Sequence, residues 1–457
     1  MLFNSLVFFL LLVPLLALYW ATASQRVRLG LLFVGSLIFY GYHHWPSIFL
    51  LLFTIGFNFQ MGRWQGRLRS KSLLALAIAV NLSLIFWFKY AAFVADNLNA
   101  LLAWIGLTLQ VPRIPSFLPL GISFFTFQVV AYQVDIYRKE IEAEPSLLRF
   151  AVFKSFFPQL IAGPIVRAVD FLPQLRQPVR FDAAAFHQGL WLLLAGMALK
   201  IGVADVLAQF ANEAFRTPGA LTTSGAWTGL YAFAFQLYAD FWGYSTMAVG
   251  VAALFGLRLP LNFDTPYLSS SLQEFWRRWH ITLSIWFRDY VYIPLGGNRR
   301  RRDLNLLVTM GLAGLWHGAG WPFLLWGLAH GLWLVAERHF GKSAPAPARS
   351  PGRWWKTILV FHGVCLLWVL FRAPDLGVAR LYYSRLLLPP FTLAGVPSVL
   401  TTWLLVFACL QWPLAWTLKG QRFVEFRHRY QWPLAWGCLY LVLAYAGARV
   451  DFIYFTF

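Results

Sequence analysis

His317 stands inside residues 304–336, a stretch of 33 positions without one Asp, Glu, Lys or Arg. Glycines surround it at 311, 314, 318 and 320, and Pro322 follows. Ionisable groups inside an apolar span usually face a cavity or the interior of a helical bundle. Glycines admit a second backbone or a ligand at close range. The proline implies irregular backbone there, which such a segment tolerates where it lines a cavity. A histidine in a dry site stays neutral, because desolvation disfavours the imidazolium. Neutral imidazole can take the proton of an alcohol as that alcohol attacks a thioester. Acyl transfer of this kind needs no serine nucleophile. A thioester and an ester are similar in energy, so it needs no ATP site either. The competing reading makes His317 a packing residue bonded to a backbone carbonyl. His330 follows 13 positions later. In one unbroken helix it would lie roughly 20 Å away on another face, and it is read as structural.

His280 belongs to a different kind of segment. Residues 272–295 place Leu272, Phe275, Trp276, Trp279, Leu283, Trp286, Phe287 and Tyr290 within an arc of about 120° of one helix. Glu274, Arg277, Arg278, Arg288 and Asp289 fall on the other side. A continuous helix with a Trp-rich face and an Arg-rich face suits a membrane interface. His280 sits at the edge of the apolar stripe, where an interfacial, snorkelling histidine is the plain alternative to a functional one. Pro294, Gly296 and Gly297 end the segment, and Arg299–Arg302 follow.

The elements that position these residues must lie in a membrane. Of 457 residues, 59% are hydrophobic and 12% are charged, against about 25% charged in an ordinary soluble domain. The 23 Trp suit bilayer interfaces. Runs 1–25, 29–62, 114–134, 217–239, 304–336, 386–418 and 430–448 carry no charge, and a spanning helix takes roughly 20 apolar residues. Shorter runs at 72–88, 97–112, 183–199, 241–257 and 357–371 bring the expectation to about eleven spanning or re-entrant segments in an all-α, polytopic bundle. The whole chain, 1–457, reads as a single integral membrane domain, its longest connector being 338–356 with Pro345, Pro347 and Pro351. Met1–Trp20 lacks a basic leader and a clear cleavage site, and is read as a retained first helix. Residues 29–62 read as a hairpin around His43-His44-Trp45-Pro46.

The net charge of +20 does not indicate nucleic-acid binding, because the basic residues sit in short loops between apolar runs. The positive-inside rule places Arg26/Arg28, Arg63/Arg67/Arg69/Lys71, Arg299–Arg302 and Arg422/Arg427/Arg429 in the cytoplasm. The same loops can attract the phosphates of a cytosolic donor. Cys365, Cys409 and Cys438 lie in apolar segments without metal-like spacing, and no metal is expected. No P-loop, dinucleotide fingerprint or GxSxG elbow is present. A transporter or flippase, the alternative from another class, finds no internal repeat to support it.

Six stretches carry a resemblance. They are PLGISFFTFQVVAYQVDIYR (119–138), FPQLIAGPIVR (157–167), QLYADFWGYSTMAVG (236–250), FWRRWHITLSIWFRDYVYIPLGGNR (275–299), GLWHGAGWPFLLWGLAHG (314–331) and the terminal FIYF (452–455). In this order they resemble the membrane-bound O-acyltransferase superfamily, and within it the bacterial branch that acetylates extracytoplasmic polysaccharides such as alginate. The resemblance implies acetyl-CoA as a cytosolic donor substrate with no bound cofactor, a central tunnel, and a catalytic histidine in the WHG motif, which is His317. It implies a second functional histidine, His280, and a substrate site to which Asp240, Tyr238, Tyr244, Trp316 and Trp276 contribute. The family commonly carries Asp after GYS, where this chain has Thr246. The implied setting is the bacterial inner membrane. The implied partners are a polysaccharide acceptor and a periplasmic or cell-surface esterase-like protein of the SGNH type. D-alanyl transfer to teichoic acid is the alternative within the class.

Overall fold

The computed structural model describes residues 1–113, 117–161, 163–340, 353–387, 400, 401, 404, 421–445 and 447. Most of the 338–356 connector and of the 386–418 run, Cys409 and the FIYF terminus lie outside the described residues, as do the side chains of Arg422, Arg427 and Arg429. Regular structure among the described residues is helical, with no strand. Lys71–Trp104, Ala183–Arg216 and Arg353–Arg372 are each long and apolar enough to cross a bilayer, and Leu6–Ala21 and Gln431–Ala444 are shorter apolar helices.

Contacts divide the chain into two units. One comprises Met1–Leu192 and Ala248–Pro260. Here Gln25–Gly41 and Ser47–Leu68 form the expected hairpin across His43-His44-Trp45-Pro46. Buried amides join Ser47–Leu68 to the next helices of this unit: Asn58 and Asn81 exchange bonds of 2.9 and 2.8 Å, and Gln133 donates to the Asn58 carbonyl at 2.9 Å. Interhelical bonds between neutral polar side chains are a usual device where apolar surroundings give no driving force for helix association.

The other unit comprises Leu193–Met247 and Leu261–Phe457. Asp240 does not interrupt its helix: the 217–239 and 241–257 runs contribute to one helix, Thr223–Leu254. The helical course 183–216 bulges into a π-turn at Ala198–Ala204. It meets the Thr223–Leu254 helix where Gly196 faces Gly243, and a Cβ on Gly243 would lie 2.8 Å from the Gly196 carbonyl oxygen.

The 304–336 run is not one helix. Arg302–His317 ends at Gly318, whose extended backbone (φ −158°, ψ 145°) stops the helical ladder, and Trp321–Phe340 returns antiparallel to it. The two arms touch through Gly314 and Gly327. A Cβ on Gly327 would strike the Met310 carbonyl oxygen, and one on Gly314 the Phe323 carbonyl oxygen. Backbone cannot swing aside as a side-chain tip can. Gly327→Ala should therefore destabilise the purified protein by about 1–3 kcal/mol, the usual range for overpacking. Denaturant unfolding in detergent measures this, and a midpoint equal to the parent's would show that the arms separate without strain.

Candidate functional site

All the residues singled out from the sequence lie in the second unit. His280 departs furthest from expectation. The segment 272–295 is broken, not continuous: Leu272–Arg278 ends at Trp279, and Ile281–Phe287 starts afresh after His280. His280 itself has left-handed backbone, φ 41° and ψ 57°, a conformation that costs a non-glycine residue about 1–3 kcal/mol. A neighbouring strap over-determines the break. The Asp264 N–H donates to the Arg278 carbonyl at 3.0 Å and the Ile281 N–H to the Asn262 carbonyl at 2.9 Å. The Asn262 side chain accepts from the Thr282 hydroxyl at 2.7 Å. The amphipathic pattern could not reveal a strap supplied by a loop well upstream. The consequence is burial: His280 is 0% exposed, not snorkelling, with its ring 4.6 Å from Phe241 and 6.1 Å from Trp316.

His317 closes the last turn of its helix and is 5% exposed. Three aromatic rings surround its imidazole: Trp316 at 4.8 Å, Trp326 at 5.2 Å and Phe371 at 5.0 Å. Trp316 is therefore a shared neighbour of His280 and His317. The hairpin turn also corrects the distance expected for His330. Because the chain reverses at Gly318, the Trp326 ring stands 5.2 Å from His317 and 4.8 Å from His330. Trp276 completes the far side, 5.2 Å from His330. One set of touching rings thus links His280, Trp316, His317, Trp326, His330 and Trp276.

Asp240 is held in an ion cluster that sequence reading missed. The Lys200 ammonium lies 3.0 Å from Asp240 and 2.6 Å from Asp205, all three side chains being at most 2% exposed. Lys200 projects from the π-turn, and π-bulges recur at functional sites. Tyr244 follows one helical turn after Asp240 and is buried, while Thr246 is half-buried. Tyr238 stacks on Trp242 at 5.2 Å and lies 5.9 Å from Trp279, the neighbour of His280. The Thr223–Leu254 helix thus carries two groups: Tyr238 and Phe241 toward the His280 break, and Asp240 toward Lys200.

Ionic groups flank the helix that bears Trp276. Glu337 accepts the Leu272 N–H at 2.6 Å and the Gln273 N–H at 3.2 Å, capping the Leu272–Arg278 helix that bears Trp276. Burial alone would raise the Glu274 carboxyl, but Ser270 hydrogen bonds and the Arg278 and Arg353 guanidiniums outweigh it and hold the group below the usual carboxylate range.

Residues 44–373 match the family described as MBOAT, membrane-bound O-acyltransferase family. The chain is 40% identical over 396 residues to the probable alginate O-acetylase AlgI of Pseudomonas aeruginosa, covering 84% of this chain and 75% of that one. It is 41% identical over 409 residues to the protein of the same name from Azotobacter vinelandii, covering 87% and 80%. It is 35% identical over 383 residues to the peptidoglycan O-acetyltransferase of Helicobacter pylori, covering 76% and 71%.

Proposed function

Because the chain belongs to the membrane-bound O-acyltransferase family, we propose that this membrane enzyme takes acetyl groups from cytosolic acetyl-CoA and delivers them for O-acetylation of an extracytoplasmic polysaccharide, with alginate the leading acceptor. His317 acts as the base. The acceptor hydroxyl oxygen attacks the thioester carbonyl carbon while its proton passes to the imidazole. Collapse of the adduct breaks the carbon–sulfur bond, and the departing thiolate recovers that proton from His317. Ester and free CoA result, and the imidazole is neutral again. His280 positions donor or acceptor beside the Trp316 indole, and Trp276, Tyr238, Asp240 and Tyr244 line or brace the substrate site.

The observation that carries this reading is a nearly buried imidazole at a helix end, enclosed by Trp316, Trp326 and Phe371 and sharing the Trp316 indole as a neighbour with a second buried imidazole. Water exclusion favours transfer over hydrolysis of the thioester. The proposal includes one functional domain across the chain, with about eleven spanning or re-entrant helices around a tunnel in the bacterial inner membrane. An esterase-like protein outside the membrane completes delivery to the polymer.

Incubation of the purified enzyme with radiolabelled acetyl-CoA, alginate and other candidate polysaccharides, with and without an SGNH-type partner, tests it. Labelled polymer or labelled partner protein is the expected product. Movement of label across vesicles with no ester formed would instead make the protein a transporter.

A further inference from the structure

His330 is 0% exposed, yet neither ring nitrogen has a hydrogen-bond partner among the described residues. The indole N–H groups of Trp276 and Trp326 are buried and unpartnered in the same way. These three rings form one cluster, with Trp326 and Trp276 standing 4.8 and 5.2 Å from His330 and 5.8 Å from each other. Phe275 and Trp368 wall it in at 6.5 and 6.4 Å from His330. Buried polar atoms almost always find partners, so a cluster of orphans marks the place of another molecule. Its chemistry can be specified. An indole N–H in edge-on contact can lean weakly on a neighbouring π face. A neutral imidazole, however, always has one nitrogen that accepts and one that donates. No aromatic face can supply the hydrogen bond that the accepting nitrogen needs. A carbonyl oxygen would serve the indoles and fail the imidazole. A hydroxyl serves both, because its oxygen accepts from the N–H groups while its proton is donated to the ring nitrogen.

We infer that His330, Trp276 and Trp326 form a binding site for a single hydroxyl group, belonging to a water or to a sugar, beside the Trp326 indole that also packs on His317. The water arm stands on burial and the missing partners, whereas the sugar arm rests on the acetyl-transfer reading. A sugar hydroxyl here would hold the acceptor ring so that a neighbouring hydroxyl meets His317. A water here would complete the polar bonding behind the Trp326 indole that packs on the base.

High-resolution density of the wild-type protein, alone and with an oligosaccharide acceptor, tests the site. Density within hydrogen-bond reach of His330 and an indole nitrogen in both samples assigns a water, and density only with the oligosaccharide assigns the sugar. Absence of density in both overturns the inference. His330→Phe keeps an aromatic ring and deletes both nitrogens, and Trp276→Phe deletes one N–H should the first variant not fold. In the sugar case either variant raises the acceptor KM about three- to tenfold, the worth of one neutral hydrogen bond, with kcat little changed. In the water case His330→Phe leaves the acceptor KM at the wild-type value. Bound density in a wild-type protein that transfers no acetyl group would sink the functional reading and leave the hydroxyl site standing.

Discussion

His317→Ala enzyme, supplied with labelled acetyl-CoA and acceptor, loses transfer by about 10²–10⁴-fold, the usual contribution of a positioned general base. Its binding of acetyl-CoA stays close to the parent's. The expectation follows from where the ring sits. His317 ends a helix, so truncation removes no backbone bond, and Gly318 still terminates the ladder. What disappears is the imidazole among Trp316, Trp326 and Phe371. An acceptor hydroxyl entering that aromatic enclosure would then have to give up its proton without the ring. His280→Ala should behave differently. Its ring is fixed by a strained, strapped turn, which suits positioning, so substrate KM should change at least as much as kcat. The decisive measurement is single-turnover transfer by both variants after their folding has been checked. Near-normal transfer by a well-folded His317→Ala protein would remove His317 from the chemistry and leave His280 as the candidate base.

Much of this site was legible in the sequence because its signals were local. A histidine in a charge-free run flanked by glycines is a local pattern, and the glycines do what their size allows: Gly314 and Gly327 bring two backbones together. The hairpin turn was only half legible. Gly318, Gly320 and Pro322 announced irregular backbone, but the uninterrupted hydropathy of 304–336 suggested one helix and set His330 too far from His317. The break at His280 was hidden for a different reason. The helical spacing of apolar residues continues through it, and what bends the chain is the Asn262–Asp264 strap, which holds the turn through backbone atoms and one asparagine side chain. The Lys200 cluster was hidden by distance along the chain. Lys200 and Asp240 stand 40 positions apart, and nothing at either position names the other. Close backbone approach, as at Gly196 and Gly243, brings their helices near enough to pair.

Lys200→Met should be the most destabilising single change in this part of the molecule, by about 3–5 kcal/mol, the cost of stranding buried charge. The ammonium serves two carboxylates at 3.0 and 2.6 Å. Its removal leaves Asp205 and Asp240 with like charge in a buried helical interface. The same physics makes the defect reversible. Buried ions exchanged together for neutral groups of similar shape are often neutral in stability or better, so Lys200→Met with Asp205→Asn and Asp240→Asn should recover most of the loss. The carboxylates are not equivalent. Asp205 lies five residues from Lys200 on the same helical course, whereas Asp240 belongs to the Thr223–Leu254 helix that also carries Tyr238 and Phe241 against the His280 turn. Asp240→Asn should therefore lower transfer more than Thr246→Ala does, through a looser helix contact. Denaturant unfolding of the single, double and triple variants in detergent separates the terms as a mutant cycle. Additive losses in the triple variant would show that the cluster is three independent polar residues with no mutual dependence.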